Sequence, residues 1–315
     1  AADYGGGFVA YESSPTLQRV EIYENRGRTT GGGVALWDSS AYLKDVFIHH
    51  NEAEYLGAGL WVHDDATPVL NKVTIADNSC TSSIPTYRGG GGIELSDGAS
   101  LKLVNSILWG NSPNQVEFYS RTGYADSRLD VDYSDIQSGE LGIDRNGAGT
   151  LFYGSNNIMD NPLFEENYAL SFSSPCIDAG TAQWIVDGVT VIDMVESDYC
   201  GPAPDMGACE MPLPPVTYYV PGDFSTIQAA IDGAVNSDII MVEMGTYVEN
   251  INYNGKSLTI KSMRGPELTT IDGNQSGSVV LFLSQEDENA VLDGFTITNG
   301  TGWDNGDEFV GGGIA

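Results

Sequence analysis

The stretch "GGGVALWD" (31–38) decides the fold. Three glycines run into a strand-like alternation, with Val34 and Leu36 on one side and Ala35 and Trp37 on the other. Glycine weakens a strand interior unless another part of the chain must come close. The phrase recurs as "GGGFVAYE" (5–12), "GAGLWVHD" (57–64) and "GGGIELSD" (90–97). Its third small residue falls at Gly7, Gly33, Gly59 and Gly92, in steps of 26, 26 and 33, and the longest step holds the insertion "SCTSSIPTYRG" (79–89). A second phrase follows each: "VEIYEN" (20–25), "VFIHHN" (46–51), "VTIADN" (73–78) and "SILWGN" (106–111). Self-similarity at such a period marks a repeat architecture.

Each repeat carries short alternating strands and turn residues, without helical periodicity. At about 3.3 Å per residue, 26 residues suit one circuit of a coil with three short strands. Stacked coils place like residues over like, about 4.8 Å apart. Val34 and Leu36 then align with Phe8 and Ala10, Leu60 and Val62, Ile93 and Leu95 in one inward stack. Val20/Ile22, Val46/Ile48, Val73/Ile75 and Ser106/Leu108 form a second, and Asn25, Asn51, Asn78 and Asn111 form an amide ladder. Glycine lets the chain turn tightly into each strand and lets coils approach. The expectation is an all-β chain wound as a parallel β-solenoid.

Several phrases carry a resemblance: "NSILWGN" (105–111), "VDYSDIQSGE" (131–140), "NPLF" (161–164), "SPCIDAG" (174–180) and "PDMGACE" (204–210). With them the chain resembles the right-handed parallel β-helix repeat proteins of the pectate-lyase-like superfamily, in particular large secreted bacterial ones, where these phrases close a β-helix. The later "VPGDFSTIQAAIDGA" (220–234), "GTYVENI" (245–251), "KSLTIKS" (256–262), "TIDG" (270–273) and "LDGFTITNGTG" (292–302) resemble the family's opening phrases. The resemblance implies the end of one right-handed β-helix (1–211), a Pro-rich connector (212–217) and the start of a second (218–315). A helix over 224–234 caps the second core, with Ile227, Ala230, Ile231 and Ala234 on one face and Ser225 or Thr226 at its N-cap. The chain also reads as a piece of a longer polypeptide, because "GGGIA" (311–315) stops where a strand should continue. Open strand edges near Tyr4–Gly7 and Ile314–Ala315 would be covered by more chain or by another copy, as in a filament.

The chain has 315 residues, 13 basic and 44 acidic, for a net charge of −31. Phosphate contacts require Lys and Arg, so nucleic acid is disfavoured as a partner, and no apolar run is long enough to span a membrane. Of the four cysteines, Cys200 and Cys209 flank a turn and can form a local disulfide, while Cys176 reads as a small core residue. Resemblance to secreted proteins favours an extracellular location.

Candidate sites are few. "HDD" (63–65) offers acid and base groups, but it aligns with "YESS" and "WDSS", a polar turn after the strand. His49 and His50 adjoin on a strand and should point to opposite faces, so they do not share a metal easily. Arg19, Asp45 and Lys72 align as a surface ion ladder of little energetic weight. In "DNGDEF" (304–309), Asp304, Asn305, Asp307 and Glu308 supply oxygens for Ca2+. The outward aromatic residues stand out: Tyr11, Trp37, Trp61 and His63 on the first strand, and Tyr23, Phe47, His49 and Trp109 on the second. Exposed aromatic columns mark a contact surface for glycan or another subunit, unless a loop covers them. The leading expectation is a non-enzymatic extracellular structural or adhesive module. A polysaccharide lyase or hydrolase, or a glycan-binding module, is the alternative.

Overall fold

The computed structural model describes residues 2–82, 89–147, 149–212, 214–304 and 309–310. The chain forms two compact units, Ala1–Pro212 and Leu213–Ala315. Among the described residues no helix is long and apolar enough to cross a membrane.

The first unit is a right-handed parallel β-helix whose successive coils stack into three sheets. One sheet stacks Phe8–Tyr11, Val34–Trp37, Leu60–His63, Ile93–Ser96, Val116–Tyr119 and Ile143–Asp144. Its register pairs Val34 with Phe8 and Leu60, and Leu60 with Ile93, so the 26- and 33-residue steps both hold. A second sheet stacks the long strands Thr16–Tyr23, Tyr42–His49 and Val69–Ala76, then shorter strands of later coils. The third, of four strands, includes Arg26–Thr30 and Glu52–Ala53. The inward columns bury Val34, Leu36, Leu60, Val62, Ile93 and Leu95 completely, packed against Val46, Ile48, Val73 and Ile75. Ser106 completes the second column by accepting the Val73 N–H and donating to Val104 O, so its hydroxyl is satisfied inside the core.

The glycine triplet has a distinct reason at each position. Gly31 lies in the left-handed region (φ 59°), as Gly5 and Gly57 do at the same corner. A Cβ on Gly32 would meet the carbonyls of Glu52 and Ala58, and one on Gly33 would meet Gly59 O and the Asn51 amide. Three more corners repeat in left-handed conformation: Glu12/Asp38/Asp64/Asp97, Arg19/Asp45/Lys72/Asn105 and Glu24/His50/Asp77/Gly110. Arg19, Asp45 and Lys72 are bends within the long strands; Asp45 and Lys72 pair between coils as the ladder expects, but Lys72 is buried and not at the surface. Lys72 is only 2 % exposed, and its Nζ lies 2.6 Å from Glu210 Oε1 and 3.5 Å from Asp45 Oδ1.

Glu210 belongs to the closing segment, which runs back over the outer face of the long-strand sheet. Leu170, Cys176 and Met206 pack on Ile107, and the antiparallel hairpin Gln183–Val186/Val189–Asp193 seats Trp184 against Val104. Gly207 N–H donates to Asn105 O and Ala208 N–H to Thr74 Oγ1. Cys200 and Cys209 are not joined to each other. This corrects the expected Cys200–Cys209 pair: Cys200 is exposed, its backbone N–H donating to Glu210, while Cys209 sits half-buried beside Lys72. The local turn is held by Glu210 rather than by sulfur.

The second unit repeats the plan, with parallel stacks such as Thr217–Val220, Ile239–Val242, Thr259–Ser262 and Val291–Asp293. Its helix, Ile227–Gly233, buries Ile227, Ala230 and Ile231 and is held at both ends. At the N-terminus Thr226 Oγ1 accepts from Ala229 N–H, and the Glu249 carboxylate accepts from Ile227 and Gln228. At the C-terminus Lys256 Nζ donates to the carbonyls of Ile231, Asp232 and Ala234 at 2.7–3.0 Å. Seven residues make an unstable helix alone, so these caps decide whether it forms. Lys256→Met should therefore lower the stability of this unit by about 2 kcal/mol, the scale of a charge-assisted hydrogen bond to a buried group, measured by denaturant unfolding.

Between coils the asparagines bond in series: Asn25 Nδ2 to Asn51 Oδ1, Asn51 Nδ2 to Asn78 Oδ1 and Asn78 Nδ2 to Asn111 Oδ1, at 2.9–3.0 Å. Each acceptor oxygen also takes the backbone N–H of the preceding asparagine. Asn51→Ala strands several buried backbone groups at once and should cost about 3 kcal/mol in unfolding free energy. Asn51→Asp removes only the donor half and should leave the cost pH-dependent, which separates the ladder from simple loss of volume.

Candidate functional site

The outer face of the first sheet carries two columns. One reads Tyr11, Trp37, His63, Ser96 and Tyr119; the other reads Val9, Ala35, Trp61, Glu94, Glu117 and Asp144. Tyr11, Trp37, Trp61 and His63 therefore meet as the sequence alignment places them, but they are not a flat exposed face. Trp61 and His63 are 5 % and 7 % exposed and form the floor of a cleft. Trp61 lies between two near-parallel rings, Tyr4 at 5.8 Å and His63 at 4.5 Å. Trp37 stands half-buried, edge-on to Tyr4, Tyr11, Trp61 and His63 at 5.2–6.0 Å. Tyr55, Leu56, Tyr119 and Tyr124 add further walls, enclosing a volume of about 610 Å3.

Polar groups fix these rings. Trp37 Nε1 donates to Asp64 Oδ2 at 2.9 Å, and Trp61 Nε1 donates to Ser96 Oγ at 3.1 Å. His63 Nδ1 is 3.1 Å from the same Ser96 Oγ and 3.3 Å from Asp97 Oδ2. Burial pulls the His63 pKa below its ordinary value, against the opposing pull of Asp97. Asp97, almost fully buried, accepts from Arg121 Nε at 2.6 Å, and the guanidinium lies over the Tyr124 ring at 4.4 Å. Asp64 and Asp65 both occupy left-handed corners, so the polar-turn reading of "HDD" holds for the aspartates while His63 turns into the cleft floor.

The second-strand aromatic residues go elsewhere. Phe47 is half-buried beside Lys72 and Glu210, and Trp109 packs against the closing segment. The loop-cover explanation applies to these two. Tyr23 remains 51 % exposed and stacks on His49. The proposed calcium loop, Asp304, Asn305, Asp307 and Glu308, lies outside the residues whose side chains are described.

Asp97, Tyr119, Arg121, Tyr124, Tyr4 and Tyr55 escape the sequence reading. Asp97 already ends the phrase "GGGIELSD", aligned with Asp64, and extending the repeat one coil would place Tyr119 beside Ser96 in the column of Trp37 and His63. Arg121 and Tyr124 come from an irregular loop with no repeat to announce them.

Beside the cleft, Glu94 and Glu117 face each other on adjacent coils. Burial, chiefly, raises both: Glu117 to about 7, despite hydrogen bonds from Asn146 and Asn114, and Glu94 well above the usual carboxylate range. Asp135, buried against Cys176 Sγ, is likewise raised to about 7 by burial. The folded state holds these protons where the unfolded chain has released them. Stability should thus fall as pH rises from about 4, the unfolded value, through about 7, with Glu117 and Asp135 giving the fall up to that point and Glu94 adding to it. Urea midpoints from pH 4 to 8 check this, and Glu117→Gln with Asp135→Asn should flatten the slope.

Residues 2–136 match the family model for the right handed beta helix region. No curated protein and no solved structure matches the chain.

Proposed function

We propose that this chain, a right-handed parallel β-helix repeat protein, serves outside the cell as a non-enzymatic module that holds a neutral glycan in the Trp37 cleft. The observation that carries the reading is the aromatic enclosure itself. Trp37, Tyr4, Tyr119 and Tyr124 surround a space of about 610 Å3, within the range of small-ligand pockets. Sugar rings offer C–H faces to aromatic walls and hydroxyls to the Arg121 and Asp64 groups at the margin. A net charge of −31 disfavours a polyanionic chain, which points to neutral sugars.

Binding is favoured over turnover because His63, Asp64, Asp97 and Arg121 of the cleft already hold partners within it. Asp97 is held by Arg121 and His63, and Asp64 by Trp37. A general acid or base needs a proton position open to substrate. The stacked coils supply a stiff support for such a cleft, suited to a structural or adhesive surface protein.

Calorimetric titration with a panel of neutral oligosaccharides tests the reading. One or more should bind, and Trp37→Ala should weaken binding at least about tenfold, near 1.4 kcal/mol. Tyr11→Ala, outside the cleft, should leave it unchanged. Release of new reducing ends or unsaturated products from any glycan would instead establish the enzyme reading.

A further inference from the structure

Neighbours on a strand point to opposite faces, so His49 and His50 are expected to part. They converge instead, because His50 leaves the strand through a left-handed corner (φ 51°). His49 Nδ1 and His50 Nδ1 lie 3.0 Å apart, with the two rings nearly perpendicular. Glu21 Oε1 is 2.9 Å from His49 Nε2. A carboxylate accepts, so Nε2 carries the proton and Nδ1 presents its lone pair. Carboxylates orient metal-ligating histidines in this way. The His49 ring is clamped between Tyr23, stacked at 5.2 Å, and Tyr168 at 4.8 Å. Tyr168 Oη lies 3.1 Å from His50 Nδ1 and donates to Asp77 Oδ2 at 2.7 Å. These groups border a cavity of about 620 Å3 that Phe164 and Glu165 of the closing segment help to line.

We propose that His49 Nδ1 and His50 Nδ1 form a two-nitrogen site for a divalent late transition metal ion, open to water on its cavity side. Metal binding requires His50 to carry its proton on Nε2 instead of Nδ1, a tautomer change with no net loss of charge. Nothing is oxidised or reduced. Imidazole nitrogen suits Cu2+, Ni2+ and Zn2+, with Cu2+ the tightest, whereas Ca2+ and Mg2+ prefer oxygen. Among the described residues no group of three or more His, Cys, Asp or Glu forms a metal cage. Water therefore fills the remaining positions, and the site favours an ion that accepts two strong nitrogen donors. Asp77 and Glu21 supply negative charge at the rim without coordinating.

The test uses the full chain with its accessible thiols alkylated, stripped with chelator and titrated with CuCl2 by calorimetry and electron paramagnetic resonance. One equivalent should bind, with hyperfine splitting from two nitrogens. The chain has three histidines, and the third, His63, is occupied with Ser96 and Asp97 in the other cleft. His49→Asn and His50→Asn should each weaken binding at least about tenfold, and Glu21→Gln about tenfold through loss of orientation. Excess CaCl2 should not compete. A one-nitrogen or nitrogen-free spectrum from the unaltered chain would overturn the proposal, whatever the variants do. So would equal Cu2+ affinity in a folded His49→Asn/His50→Asn double variant.

Discussion

The asparagine ladder is the constraint on which the first unit depends. A buried amide must satisfy two donors and an acceptor, and in each coil it does so in three directions. Asn51 donates to the carbonyls of Ile22 and His49 and to the amide oxygen of Asn78, while its own oxygen serves Asn25. The same side chain thus closes a corner and fixes the next coil above it. A parallel strand pair alone can slip, and a slip of one residue would turn every apolar side chain outward. With the corner pinned, slippage would strand several buried polar groups at once. Asn111, in the last rung, turns its amide to Gln115 Oε1, so the series ends satisfied.

Fixed register converts sequence repetition into surfaces. Inside, it gives columns of Val, Leu and Ile with almost no exposure. Outside, it sets Tyr11, Trp37 and His63 one above another and places Glu94 over Glu117. Neither outer column would be favourable on an isolated strand. The aromatic column is useful because side chains from other parts of the unit, Tyr4 and Tyr55 from the four-stranded sheet and its corner and Arg121 and Tyr124 from a loop, turn it into a cleft. The carboxylates persist together because burial keeps a proton on Glu94 and raises Glu117 to about 7, which relieves the repulsion between them.

Charged groups also tie down the less regular parts. Lys72 sits at a left-handed bend, buried, and meets Glu210 from 138 residues further along the chain. Removing one partner of such a buried pair leaves an uncompensated charge, a far larger effect than loss of a surface ion pair. The second unit uses charge differently: Glu249 and Lys256 bracket a seven-residue helix, each matching the partial charge at its end.

What the sequence by itself determined is whatever repeats. The coil length, the inward columns and the ladder positions Asn25, Asn51, Asn78 and Asn111 follow from spacing, because stacking places equal positions in contact. The helix over Ile227–Gly233 was legible too, from its apolar face and the Thr226 cap. The tertiary structure decided the rest, for two physical reasons. First, a left-handed corner reverses the alternation on which side-chain direction is judged, so His49 and His50 meet. Second, contacts between distant segments leave no periodic trace. The closing segment's cover over Phe47 and Trp109, and the arrival of Arg121 at Asp97, depend on where irregular chain lands after the coils have stacked.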